Sequence, residues 1–216
     1  MFKTLSYTYL GKTYPVYIEK KSMMRRNIRC RYKQGAFYIS APYIASENTI
    51  IRFLNDKWGP YFIKNEKPLA KGENFVYIYG YKYPYSNAGG EIKFASGNGF
   101  KYLNDIDFAK KNKKQFLSVM TQRSRYYEKL MGLPAHNIRI RVMSTRYGSN
   151  SKKTHSITYS YELYHYAPNI LDAIIVHELA HSLQFDHSKK FYDIVFKYCP
   201  NYKYLHKCLR KGIYHD

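Results

Sequence analysis

The chain has 216 residues, 45% hydrophobic and 24% charged, a balance that excludes wholesale disorder. Its 36 Lys and Arg against 15 Asp and Glu give a formal charge of +21, which excludes an acidic protein and suits phosphate-bearing partners such as nucleotides or nucleic acid. Three widely spaced cysteines, Cys30, Cys199 and Cys208, exclude a disulfide framework and a cysteine zinc ribbon, and no apolar run is long enough for a signal peptide or a bilayer span.

Reduced thiols and no membrane segment together predict a cytoplasmic protein. The coding bias of an AT-rich genome would produce the same basic, Tyr-rich vocabulary without any such partner. The 26 Tyr and 12 Phe are able to stack on bases, although aromatics at strand spacing more often serve sheet and core.

Along the first hundred residues the pattern is one of short strands. In "NIRCRYKQGAFYIS", Ile28, Cys30 and Tyr32 alternate with Arg29, Arg31 and Lys33, and Gln34-Gly35 turns the chain into a second strand through Phe37 and Ile39. "SENTIIRFLNDKW" predicts a helix capped by Ser46, with Ile50, Ile51, Leu54 and Trp58 on one face and Pro60 ending or kinking it. "NFVYIYGYKYPY" and "GEIKFASGNGFKYL" predict two further hairpins, broken at Gly80 and at Gly97-Asn98-Gly99.

From Asp105 to Met131 the spacing of Phe108, Phe116, Leu117, Met120, Tyr127 and Leu130 predicts one long helix, stopped by Gly132 and Pro134. "HNIRIRVMS" and "SITYS" read as strands. Helices then start near Pro168, Ser188 and Tyr202, with Pro200 between the last two. The expected fold class is α+β: a β-rich region of hairpins and one helix over 1–103, packed on a mostly helical region over 104–216.

The chemistry concentrates in "IIVHELAHSLQFDHSKKF", residues 174–191. On a helix, His177 and His181 lie about 40° apart and Glu178 about 100° from His177, so two imidazoles share an edge with a carboxylate beside them. Ile175, Leu179 and Leu183 cover the opposite face, which predicts a sandwiched helix whose polar edge faces a cleft. Zinc takes imidazole nitrogen readily, and a catalytic site pairs three protein ligands with an open position. A carboxylate at Glu178 then serves as general base.

No glutamate follows Glu178, so the third ligand comes from Asp186, His187, Asp193 or His206. His187, six residues after His181, has the spacing of HExxHxxGxxH sites, with Gln184 at the glycine position. It is the first choice and Asp193 the second. A straight helix would carry His187 away, so the chain must turn after Leu183. Asp186 tolerates unusual backbone angles, and Ser188 is able to cap a new helix from Lys189.

Four segments together, "RRNIRCRYKQGAFYISAPYIASENTIIRFLNDKW", "STRYGSNS", "APNILDAIIVHELAHSLQFDHSKKFYDIV" and "YCPNYKYLHKCLR", resemble the YgjP-like metallopeptidase-domain family, relatives of the SprT-like zincins. The resemblance implies His177, His181 and His187 as metal ligands and Glu178 as base. It also implies that Arg146, Tyr147 and Gly148 lie beside the substrate on a strand or turn. Tyr147 stands where the family usually has tryptophan, and Asn150 where it usually has cysteine.

The resulting expectation is a zinc-dependent hydrolase with one zinc ion per chain, acting on a peptide or protein. The alternatives are a nucleotide or phosphoester hydrolase and a nucleic-acid-associated protease.

Overall fold

The structure, a computed structural model, describes residues 2–22, 27–143 and 145–215. Arg25 and Arg26 of the arginine-rich segment, and Ser144 of "STRYGSNS", lie outside them. The chain divides into two compact units, Met1–Pro68 and Leu69–Asp216, and the fold is α+β. Among the described residues, no helix is long and apolar enough to cross a membrane.

In the first unit β1 (Phe2–Tyr9), β2 (Lys12–Lys21), β3 (Arg29–Lys33) and β4 (Ala36–Pro42) form a sheet in the order β1-β2-β4-β3. The β2–β4 pair is parallel and the other two pairs are antiparallel. Gln34 and Gly35 both take positive φ, 53° and 73°, as the two-residue turn between β3 and β4 requires. Alternation sends Tyr14, Val16, Ile18, Phe37, Ile39 and Ala41 into the core and Thr13, Pro15, Tyr17 and Tyr38 to solvent.

That core is closed by α1 (Glu47–Phe53), through Ile50 and Leu54. Ser46 caps α1 as expected, its Oγ accepting from the Thr49 N–H at 3.1 Å. Pro60 does not stop the helical path. A π turn, Leu54–Trp58, absorbs one extra residue, and α2 (Gly59–Lys64) restarts with Pro60 in its first turn, where a missing N–H costs nothing. The Gly59 N–H donates to the Leu54 carbonyl. A Cβ on Gly59 would lie 2.6 Å from Tyr7 Cζ and 2.8 Å from the Leu54 oxygen, so only glycine fits.

In the second unit β5 (Phe75–Ile78) pairs with β6 (Tyr81–Pro84), and β7 (Gly90–Lys93) with β8 (Gly99–Tyr102). The compact units meet at residues 68/69, and the regions expected from the sequence at 103/104, with these two hairpins between the two positions. Val76, Ile78, Ile92 and Tyr102 share one core with Phe108 and Phe116. Tyr79 and Gly80 donate to the carbonyls of Tyr164 and His165 in the 3-10 turn Tyr161–His165, at 2.8 and 3.1 Å.

The long helix α3 (Asp105–Met131) has Asn104 as its N-cap and Gly132 at φ 67° beyond its end. Its buried stripe is Phe108, Asn112, Phe116, Met120, Ser124, Glu128 and Met131, stepping by four residues and at the last by three, and it includes three polar side chains. Leu117 and Leu130, part of the spacing that predicts the helix, are exposed. The sheet of β9 (Asn137–Arg141), β10 (Gly148–Ser151) and β11 (Ser156–Ser160) runs in the order β10-β11-β9, leaving β10 at the edge. Val142, read as part of the β9 alternation, falls beyond the strand and is exposed.

Next come α4 (Pro168–Leu183), α5 (Lys189–Tyr198) and α6 (Tyr202–Lys211). Nine residues of α4 are buried, and Asp172 is gripped by Arg123 of α3 through two hydrogen bonds of 2.7 and 2.6 Å. Leu183, expected on the covered face, is exposed at the end of the helix.

Trp58 is the only tryptophan and packs on Phe53 and Phe62. We expect Gly59→Ala to destabilise the first unit by about 1–3 kcal/mol through overpacking against Tyr7. A urea titration followed by Trp58 fluorescence would show this as an earlier midpoint.

Candidate metal centre

The helix α4 carries His177 and His181 on one edge, and the chain turns where it must to return His187 to them. The last helical bond is Gln184 N–H to Ala180 O at 2.8 Å, after which Gln184 itself is extended at φ −135°, ψ 115°. Asp186 needs no positive φ for this turn. Ser188 occupies the N-cap of α5, but its hydroxyl makes no cap bond.

The side chains of His177, His181 and His187 each offer a ring nitrogen, and these atoms all lie within 4.8 Å of one another. Among the described residues this is the only such cluster. Asp193, the second choice for a third ligand, does not line the cleft, whereas Asp186 and His206 line its wall outside the cluster.

Each ring is held from behind. Tyr202 Oη lies 2.8 Å from His177 Nδ1, and His181 Nδ1 donates to the Phe185 carbonyl at 3.0 Å, which aims Nε2 of both rings inward. His187 Nε2 then sits 3.3 Å from His177 Nε2. Phe191, fully buried, forms a common floor, its ring centroid 4.6–5.0 Å from those of all three imidazoles. Burial, followed by the neighbouring His181, His187 and His206, pushes His177 down to about 3. Burial also depresses His181. Both effects favour neutral imidazole, the form that donates a lone pair.

Glu178 is only 5% exposed. Burial pushes its carboxyl up to about 8, against the opposing pull of the Arg146 guanidinium and a hydrogen bond from Asn150. Its room comes from Gly148, where a Cβ would lie 2.6 Å from both Cγ and Cδ of Glu178. Gly148 thus acts by having no side chain. Arg146, exposed, and Tyr147, half-buried, border the same cleft of about 670 Å³. Tyr147 also packs on the core and reaches back to the Leu209 carbonyl at 3.5 Å, so it braces the wall as well as lining it.

The sequence profile of the YgjP-like metallopeptidase domain matches residues 26–212. The chain belongs to the YgjP-like metallopeptidase-domain family. No curated protein matches it in sequence. Two solved structures align with part of it. One is the metallopeptidase zymogen of Pyrococcus abyssi abylysin, at 20% identity and TM-score 0.41, covering 45% of this chain and 97% of that one. The other is the zymogen of Methanocaldococcus jannaschii jannalysin, at 21% identity and TM-score 0.37, covering 43% and 95%.

A YgjP-like metallopeptidase domain implies a metal ion, and this donor set fits one. Three imidazoles converge on a common space, and the 3.3 Å edge between two of them matches the separation of about 3.3 Å between nitrogens that share a tetrahedral ion.

Behind the site the YgjP-like chain has a buried polar network that the sequence pattern does not reveal. Asn150 donates through Nδ2 to the Glu178 carbonyl (2.7 Å) and to Ser182 Oγ (2.8 Å). Ser182 meets His136 Nε2 at 3.1 Å, and Glu128 Oε1 accepts both the His136 backbone N–H (2.8 Å) and Nδ1 (3.0 Å). Arg125 completes the network through Glu128 Oε2 and the His136 carbonyl. The departure at Asn150 therefore has a structural role, tying β10 to the turn of α4 that carries Glu178.

The only sequence signals for these supports are Glu128 interrupting an apolar stripe and the tyrosine of "CPNYKYL". Removing the Tyr202 hydroxyl by Tyr202→Phe leaves His177 Nδ1 without its partner. Competition with a chromogenic chelator should then show metal affinity reduced about 10- to 100-fold, with an unchanged far-UV spectrum.

Proposed function

We propose that this centre is that of a zinc-dependent peptidase of the zincin kind, with one zinc ion per chain. Nε2 of His177, His181 and His187 would hold the ion. Bound there, zinc supplies Lewis acidity, which acidifies water and polarises a carbonyl. The residues do the rest. Glu178 takes the proton of the attacking water and returns it to the departing amine, a role in which burial strengthens the carboxylate's hold on the proton it takes up. Arg146 faces that carboxyl across the cleft and limits the rise. Phe191 and Tyr202 keep the imidazoles from turning away.

The observation that carries this reading is the seating of Glu178 against Gly148, beside three converging imidazoles. A second feature favours a peptide over a phosphoester. β10 is the edge strand of its sheet, and its residues Gly148, Ser149 and Asn150 line the cleft. An exposed strand edge offers main-chain donors and acceptors to an extended peptide, with Arg146 and Tyr147 at its entry. The phosphoester alternative rests on net charge and Arg146 alone.

Metal analysis of purified protein should find about one zinc per chain, with His187→Ala losing it. Glu178→Gln should keep the metal while hydrolysis of an unfolded protein substrate falls by about 10²–10⁴-fold. Unchanged hydrolysis by that metal-loaded variant would remove Glu178 from its role. Gly148→Ala should likewise retain metal and lose turnover, because its methyl displaces the carboxyl. A panel of unfolded protein, peptides and nucleoside triphosphates decides the substrate class: triphosphate cleavage without peptide cleavage overturns the peptidase reading.

A further inference from the structure

The outward face of the first unit's sheet has no part in the metal centre, and its residues are arranged in rows. Tyr17 of β2 and Tyr38 of β4 are register partners, 42% and 45% exposed, with ring centroids 5.3 Å apart and planes at 28°. Thr4 of β1 extends this row on one side and Arg31 of β3 on the other. Arg29, Arg31 and Lys33 alternate along β3 and are exposed, while the intervening Cys30 and Tyr32 pack on the core. The three cations therefore rise from one face at a pitch of about 6.8 Å, comparable to the phosphate step of an extended single strand.

Charge reinforces the pattern. Residues 1–68 hold 13 Lys and Arg against 4 Asp and Glu. The one carboxylate within the four strands, Glu19, pairs with Lys21 at 2.9 Å. A sheet stabilised only by a cross-strand aromatic pair has no need of a cationic rail beside it.

We infer that this face is a docking platform for single-stranded RNA. Phosphates run along Arg29, Arg31 and Lys33, and a base stacks on the Tyr38 ring, which Tyr17 backs from its other side. Ribose is favoured over deoxyribose because the hydroxyl-bearing Ser40 of β4, register partner of Arg29, lies on the same face beside the cations, where a 2′-hydroxyl finds a partner. Base stacking tolerates sequence, so the platform holds RNA without reading it.

Fluorescence anisotropy of a short labelled mixed-sequence RNA, with the full chain at about 0.15 M salt, tests this. The Tyr17→Ala, Tyr38→Ala double variant should bind about ten-fold or more weakly, whereas Tyr17→Phe, Tyr38→Phe keeps the rings and the affinity. Arg31→Gln should weaken binding and lower the salt slope by about one ion. Tyr126→Ala, also exposed but on α3, should change nothing.

Thermal melting matched to the unmodified chain confirms that each variant is folded, and the Phe pair and Arg31→Gln serve if the Ala pair does not fold. The inference is overturned if the unmodified chain does not bind, or if a folded Ala pair binds as well as the unmodified chain. Equal affinity for DNA of the same sequence, or for a duplex, also overturns it, leaving only general attraction to phosphate.

Discussion

The chemistry of this protein depends on placing ionisable side chains in a helix that is buried on nearly every side. Desolvation works against the charged form of each group. For His177 and His181 it leaves the neutral imidazole, the donor a metal needs, and for Glu178 it raises the affinity for a proton. One constraint therefore acts on all three groups together. It holds only while α4 stays sandwiched, and the core residues Ile174, Ile175, Val176 and Leu179 keep it so.

Burying polar groups demands partners, and the surrounding elements supply them. The His136–Glu128 pair, Ser182 and Asn150 form a continuous hydrogen-bonded chain from α3 through α4 to β10. In a connected network of this kind each member limits the rotamers of the next, although Asn150 Oδ1 is buried without a partner. Tyr202 and Phe191 do the same from α6 and α5, one by a hydrogen bond and one by shape. Three helices and an edge strand thus converge on the three imidazoles.

The first unit follows a different logic. Its sheet buries one face against α1 and leaves the other to solvent, where Tyr17, Tyr38 and the β3 cations collect. Strand alternation makes the two faces chemically independent: core requirements dictate every second residue and leave the others open to binding.

Local pattern was enough for much of this. The hairpins turning at Gln34-Gly35 and Gly80, the cap at Ser46, the long α3 and the HELAH edge of α4 were all legible, because each depends on residues within a few positions. His187 was legible by spacing, given a turn after Leu183. The π turn at Leu54–Trp58 was not, and neither was the close approach of Tyr7, far off in the chain, to Gly59.

The sequence by itself determined the HELAH edge, the histidine six residues beyond it and most of the element types. Tertiary structure alone decided which polar residues of α3 face inward, that the middle hairpins belong to the second core, and that Gly148, Tyr202 and Phe191 shape the site. Those assignments rest on contacts between residues far apart in the chain, and such contacts exist only once long-range packing has brought the elements together.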